Sequence, residues 1–187
     1  MSKLAELVVA DSLIAAVLAG DRGAAGRLYA RVAGPAYSLA RRLVGATVAE
    51  DVLQDSMIKM YGALDGYRGE APFGCWLRRI VVNQSLMQLR SPWQRARVYL
   101  DDLTPDGSVD PSVALDAERV LRRLSPTARA VLWLHAVEGY SHAEIATQFG
   151  RSESFSKTQL ARALQRLRSA DRVLTKEILC QIPKKNC

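Results

Sequence analysis

Between Ser91 and Ser112 the chain cannot run as one continuous helix. Three prolines, Gly107 and four aspartates fall within this stretch, and its apolar residues follow no helical period. The interruption divides the 187 residues into two blocks, 1–90 and 113–172, followed by a tail at 173–187. Each block is long enough for one small core and too short for several. Aromatic residues are only 6% of the chain, and Ala, Leu and Arg dominate, which favours helices over sheets. The expected fold is all-α, with two small helical domains joined by a flexible linker at 91–112.

Charge follows the same division. Residues 1–90 hold 11 Lys and Arg against 8 Asp and Glu, residues 91–114 hold 2 against 4, and residues 115–187 hold 13 against 7. A weakly basic block, an acidic connector and a strongly basic block give a net charge of +7, which attracts polyanions, nucleic acid first among them. No apolar run approaches the roughly 20 residues of a membrane span, and Glu6 and Asp11 interrupt any signal-peptide core. Cys75, Cys180 and Cys187 are too widely spaced for a Cys-x-x-Cys motif, and His135 and His142 are the only histidines. Reduced cytoplasmic thiols, no metal and no cofactor are therefore expected. The sequence offers an enzyme no Gly-rich phosphate loop, nucleophile–base pair or metal spacing.

In the first block, Asp21 is placed to cap a helix over about 22–44, which Gly34-Pro35 should bend. Thr47 to Glu50 has the form of a capping box opening a helix that ends near Leu64. On it Leu53, Met57, Met60, Tyr61 and Leu64 form an apolar stripe, while Asp51, Gln54, Asp55 and Ile58 fall on the other side at about 100° per residue. A solvated face and a partner surface both fit this pattern. After the turn-rich loop Gly66–Pro72, a helix over about 73–90 carries Trp76, Leu77 and Ile80 as core candidates. Arg78, Arg79 and Asn83 project from its other faces, as surface polar groups or as contacts for phosphates and base edges.

The second block opens with Asp110-Pro111 and Ser125-Pro126, two caps before a proline at the first helical position. They predict helices over about 112–123 and 126–137. Gly139-Tyr140 breaks the chain and Ser141 to Glu144 forms another capping box. A short helix then ends at Gly150, and a longer basic one runs from near Ser152 to about Ser169. A short helix, a turn with glycine and a longer basic helix make a helix-turn-helix pattern. Ser156, Leu160, Ala163, Leu164 and Leu167 face inward on the longer helix. Its outer face carries Phe155, Thr158, Gln159, Arg162 and Arg166, charge for phosphates beside an amide and a hydroxyl for base edges.

These segments together resemble a known family. Ala49-Glu50-Asp51-Val52-Leu53-Gln54-Asp55, Ala63 to Glu70, and Trp76-Leu77-Arg78-Arg79-Ile80-Val81-Val82-Asn83 resemble region 2 of bacterial extracytoplasmic-function (ECF) sigma factors. Leu124-Ser125-Pro126 and Val137 to Ala146 are similar to region 4 of the same family, and the ordered set spans roughly residues 10–170. The resemblance implies a cytoplasmic, non-enzymatic subunit that gives RNA polymerase its promoter specificity, often in stress responses, with an anti-sigma protein as its usual restraint. It implies that Asp51, Gln54, Asp55 and Ile58 bind core RNA polymerase. Tyr67, Arg68, Phe73, Arg78, Arg79 and Asn83 would engage the minus-10 element as its strands separate. Phe155, Lys157, Thr158, Gln159, Arg162 and Arg166 would engage the minus-35 element.

The recognition helix departs from the family. Where Gly-Thr-Val-Lys-Ser-Arg is common, this chain has Ser154-Phe155-Ser156-Lys157-Thr158-Gln159. Ser156 in place of an inward valine is expected to loosen the helix-turn-helix core. Gln159 in place of arginine is expected to shift base preference from guanine toward adenine. The competing reading, a stand-alone helix-turn-helix regulator of duplex DNA, leaves the region 2 resemblance unexplained.

Overall fold

The structure, a computed structural model, describes residues 3–90, 121 and 124–170. The expected linker at 91–112, the tail at 173–187, Cys180 and Cys187 lie outside the described residues, as does nearly all of the helix expected over 112–123. Among the described residues every regular element is helical. The first block contains α1 (Asp11–Leu18), α2 (Arg22–Val44), α3 (Ala46–Gly62), a 3-10 turn (Leu64–Gly66) and α4 (Phe73–Arg90). The second contains α5 (Pro126–Ala136), α6 (His142–Phe149) and α7 (Glu153–Ala170).

Asp21 starts α2 as its sequence position implies: its Oδ1 accepts from the Ala24 amide at 3.0 Å. That hydrogen bond holds the exposed Asp21 carboxyl below its ordinary pKa. Leu28, Val32, Ala36, Leu39 and Leu43 are fully buried at spacings of three and four, which fixes the face α2 turns to the core. The helix stays unbroken through Gly34-Pro35. Proline forfeits one amide donor there, and the buried residues on either side keep the register.

The Thr47 capping box does not form. α3 begins at Ala46, two residues before the Val48 start that a Thr47 cap implies, with Gly45 at the N-cap and no side-chain cap. Gly45 has φ of +90°, a conformation open mainly to glycine, and it turns the chain directly from α2 into α3. Thr47 is thereby drawn inside the first helical turn. Val48, Val52, Met57 and Met60 then pack inward, and the Tyr61 hydroxyl donates to the Ala25 carbonyl at 2.8 Å.

The N-terminal segment and α1 add to the sequence expectation. Leu4, Ala5 and Val9 are buried, and the Leu4–Leu7 turn lies across the first turn of α4 at Gly74. The Cys75 thiol points at the Ala5 carbonyl oxygen at 3.6 Å.

α5 joins the two blocks because it is apolar nearly all round, a pattern that requires burial on several sides. Leu124, Ala128, Leu132 and Ala136 pack with Ala163 and Leu167 of α7. Ala130, Val131 and Leu134 join Ile145 and Phe149 in the cluster built from α2, α3 and α4.

Candidate nucleic-acid and partner interfaces

Three surfaces bring the sequence-predicted residues together. The first is on α3. Val48, Ala49, Val52, Ser56, Met57 and Met60 are buried, so Asp51, Gln54, Asp55 and Ile58 face outward and all four are exposed. Ile58 is 73% exposed. An apolar side chain this exposed, set among acids, suits a partner carrying a hydrophobic spot within a basic rim.

The second surface is the loop before α4 and the first half of that helix. The Tyr67 hydroxyl donates to the Ala71 carbonyl at 2.7 Å and closes the loop. Its ring meets Phe73 edge-on at 5.4 Å between centroids and Trp76 at 5.3 Å. Arg68 and Arg79 are exposed. Phe73 is only 3% exposed and braces Tyr67 from beneath, in contrast to the outward role implied for it by the family resemblance. The helical period explains this, because Phe73 shares the buried face with Leu77 and Val81. Trp76 is half-buried and completes the aromatic cluster. Asn83 is half-buried too, and its Oδ1 has no hydrogen-bond partner.

Arg78 is held by the second block. Its Nη1 donates to the Glu138 carbonyl oxygen at 3.0 Å and lies 3.3 Å from Glu138 Oε2. The Glu138 side chain is fully buried and also accepts from Trp133 Nε1 at 3.1 Å. Arg78 lies over the Tyr140 ring at 5.2 Å, and Arg42 lies over Trp133 at 4.9 Å. Burial, the largest influence, raises the Tyr140 phenol above its ordinary pKa. A buried carboxylate is tolerable only when paired and hydrogen-bonded, and this one is both. Sequence reasoning passed over Glu138 as the partner of Arg78 and Trp133 as the donor that holds Glu138. The available signal was an acid in an apolar segment, five residues after a tryptophan.

The third surface is the helix-turn-helix formed by α6 and α7. The Ser141 capping box is present in full: Ser141 Oγ accepts from the Glu144 amide at 3.2 Å and Glu144 Oε2 accepts from the Ser141 amide at 2.7 Å. Gly150 ends α6. On α7, Ser156, Ala163 and Leu167 are buried, while Leu160 and Leu164 are half-buried. Lys157, Thr158, Arg162 and Arg166 are exposed and Gln159 is half-buried. Lys157 pairs with Glu153 at 3.5 Å on the surface. Phe155 is half-buried against Phe149, 5.6 Å between centroids. Phe155, Gln159, Arg162 and Arg166 line a cleft of about 510 Å³, with Leu89 and Arg90 at the end of α4 also on its wall.

Two family models cover most of this architecture. Sigma-70 region 2 matches residues 28–95 and sigma-70 region 4 matches residues 114–167. The chain is 36% identical over 159 residues to the ECF RNA polymerase sigma factor SigM of Mycobacterium tuberculosis, covering 83% of this chain and 81% of that relative. It is 38% identical over 138 residues to the RNA polymerase sigma-E factor of Streptomyces avermitilis, covering 69% and 74%. In fold it is similar to the sigma factor RpoE from Bartonella quintana, solved in complex with the anti-sigma factor NepR. That likeness has a TM-score of 0.53 at 24% identity and covers 79% of this chain and 98% of that one. With both family regions in order on one all-helical chain, and with relatives above 30% identity matched over most of their length, the chain belongs to the ECF RNA polymerase sigma factors.

Proposed function

We propose that the three surfaces divide the work of promoter-specific initiation. The exposed Asp51–Gln54–Asp55–Ile58 face of α3 docks on core RNA polymerase. The Tyr67–Arg68 loop with Arg78, Arg79 and Asn83 engages the opening minus-10 element, and the outer face of α7 reads minus-35. The observation that carries this reading is the outward acidic face of α3 with Ile58 at its centre, because a DNA-binding module alone has no use for it. Phe73 acts from beneath as a brace for Tyr67. The chain supplies recognition and strand capture with no catalysis of its own, and it works in the cytoplasm. Its restraining partner is an anti-sigma protein, as in the RpoE–NepR complex.

Arg78 has two alternative partners in this scheme. Glu138 holds it while the two blocks are packed, and DNA takes it when they part. The minus-10 and minus-35 elements lie about 25 base pairs apart, roughly 85 Å along B-DNA at 3.4 Å per pair. The expected linker at 91–112 can span at most about 80 Å, and the width of the two blocks adds to that reach, enough for both elements to be read once the packing of α5 and the Arg78–Glu138 contact are released.

Replacing Arg78, Arg79 or Asn83 by alanine should therefore impair promoter melting more than recruitment of polymerase. Each arginine that neutralises a phosphate should also, on removal, reduce the salt slope of DNA binding by about one. Permanganate footprinting of the minus-10 region, with polymerase affinity measured in parallel, tests the assignment. Normal opening by all three variants would remove these residues from it.

A further inference from the structure

Ser156 is a polar residue on the inward face of α7, fully buried and in line with Leu160, Ala163 and Leu167. A buried hydroxyl is costly without a partner, and this one has a specific partner. Ser156 Oγ lies 2.9 Å from Nδ1 of His142, the first residue of α6. The His142 ring stacks on His135 of α5, with centroids 4.3 Å apart and planes within 15°. His135 Nδ1 in turn lies 2.9 Å from the Tyr140 carbonyl oxygen. A carbonyl only accepts, so this nitrogen carries the proton. A polar chain thus runs from the turn before α6, across α5, to the middle of the helix-turn-helix.

We propose that His142 and Ser156 form a positioning pair whose hydrogen bond sets the rotation of α7 on α6, and so aims Thr158, Gln159 and Arg162 at the base edges. The inference rests on the reading of α7 as the minus-35 recognition helix. Where the family's valine holds the rotation by close packing, a small serine can hold it only through a directional bond. A hydrogen bond weakens steeply when its angle is lost. With side chains reaching about 5–6 Å from the helix axis, a rotation of about 20° moves their tips by about 2 Å. That displacement is enough to break a bidentate contact between Gln159 and adenine.

The groups facing His142 are His135 on α5, and Lys157 and Glu153 on α7. Burial first, then His135 and Lys157, lower its pKa below the ordinary 6.5, with Glu153 opposing them. The ring is therefore neutral near pH 7. Because the folded-state pKa is the lowered one, the stability that the neutral ring contributes is complete above about pH 6.5 and is lost as pH falls through the lowered value. Protonation there places a cation against the His135 ring and beside Lys157.

The test uses the full chain bound to core RNA polymerase and a duplex library randomised across the minus-35 window, selected at pH 8. The wild type should select a defined element. Ser156→Ala and His142→Ala should each reduce discrimination over random sequence about three- to tenfold, and the double variant no more than either, because they remove the same bond. His142→Asn keeps a polar atom near the Nδ1 position and should retain discrimination. Polymerase affinity and the thermal midpoint, measured alongside, separate a misaimed helix from a misfolded one. Undiminished discrimination by Ser156→Ala, additive reductions in the double variant, or reductions that track the midpoint would overturn the pair. If instead the wild type selects nothing, and Gln159→Arg does not move a preference from adenine to guanine, the recognition-helix reading fails and takes the pair with it.

Discussion

Replacing Asp51 and Asp55 together by lysine is expected to weaken binding to core RNA polymerase at least about a hundredfold, close to 2.7 kcal/mol. Both side chains are exposed on the side of α3 opposite Val48, Val52 and Met60. The double change turns two negative charges into two positive ones on the face proposed to meet a complementary surface. Like-charge juxtaposition across an interface costs several kcal/mol, whereas an exposed substitution changes folding stability by about 0.5 kcal/mol or less. The thermal midpoint should therefore hold while a pulldown on core polymerase fails. Undiminished binding by a folded double variant would mean that the face is merely solvated.

The second large effect is expected at Gly74, where a change to alanine looks innocuous in sequence. Gly74 is buried in the first turn of α4, and a Cβ there would fall well inside contact distance of the Leu4 carbonyl oxygen. It would also meet the Leu7 carbonyl oxygen at 2.9 Å. Both obstacles are backbone atoms, so no side-chain rotation relieves the clash, and the Leu4–Leu7 turn must lift away. Leu4 is fully buried, and exposing a leucine costs about 1.5–3 kcal/mol. With Ala5 also displaced, Gly74→Ala should lower stability by about 2–4 kcal/mol. Hydrogen exchange should quicken at residues 3–9 and stay slow in α2 and α3. An unchanged midpoint would contradict the packing of this segment.

The contrast between these two sites shows what a sequence makes legible. The α3 face could be read in advance because an amphipathic helix separates buried from exposed residues by period alone: Met57, Met60 and Leu64 of the expected stripe are buried, and Leu53 and Tyr61 are half-buried at its edges. The caps at Asp21, Ser125 and Ser141 were legible for a similar reason: each is a local hydrogen bond within four residues. Thr47 had the same local signature and failed. Gly45 in a left-handed conformation moved the helix start, and the abrupt turn between α2 and α3 prevailed over the capping preference.

Longer-range contacts left weaker traces. Gly74 is small because a segment some 70 residues distant crosses it, and Arg78 finds Glu138 across 60 positions. Neither pairing has a period. Ser156 was legible as inward-facing, and it was expected to loosen the core as a polar residue in an apolar row. The structure supplies His142 as its partner instead, a compensation carried on another helix 14 residues earlier. Phe73 likewise followed the helical period into the core, although the family resemblance pointed it toward DNA.

The central claim, that this chain programs RNA polymerase for a promoter, is tested most directly by reconstituted run-off transcription. Core polymerase free of any sigma subunit is combined with the purified chain on a template chosen from the selected library. The account predicts a single transcript of defined length that requires both proteins and disappears when Asp51 and Asp55 are both replaced by lysine. Failure of the chain to form a complex with core polymerase at any salt concentration, or a transcript level no higher than core polymerase alone produces, would contradict it.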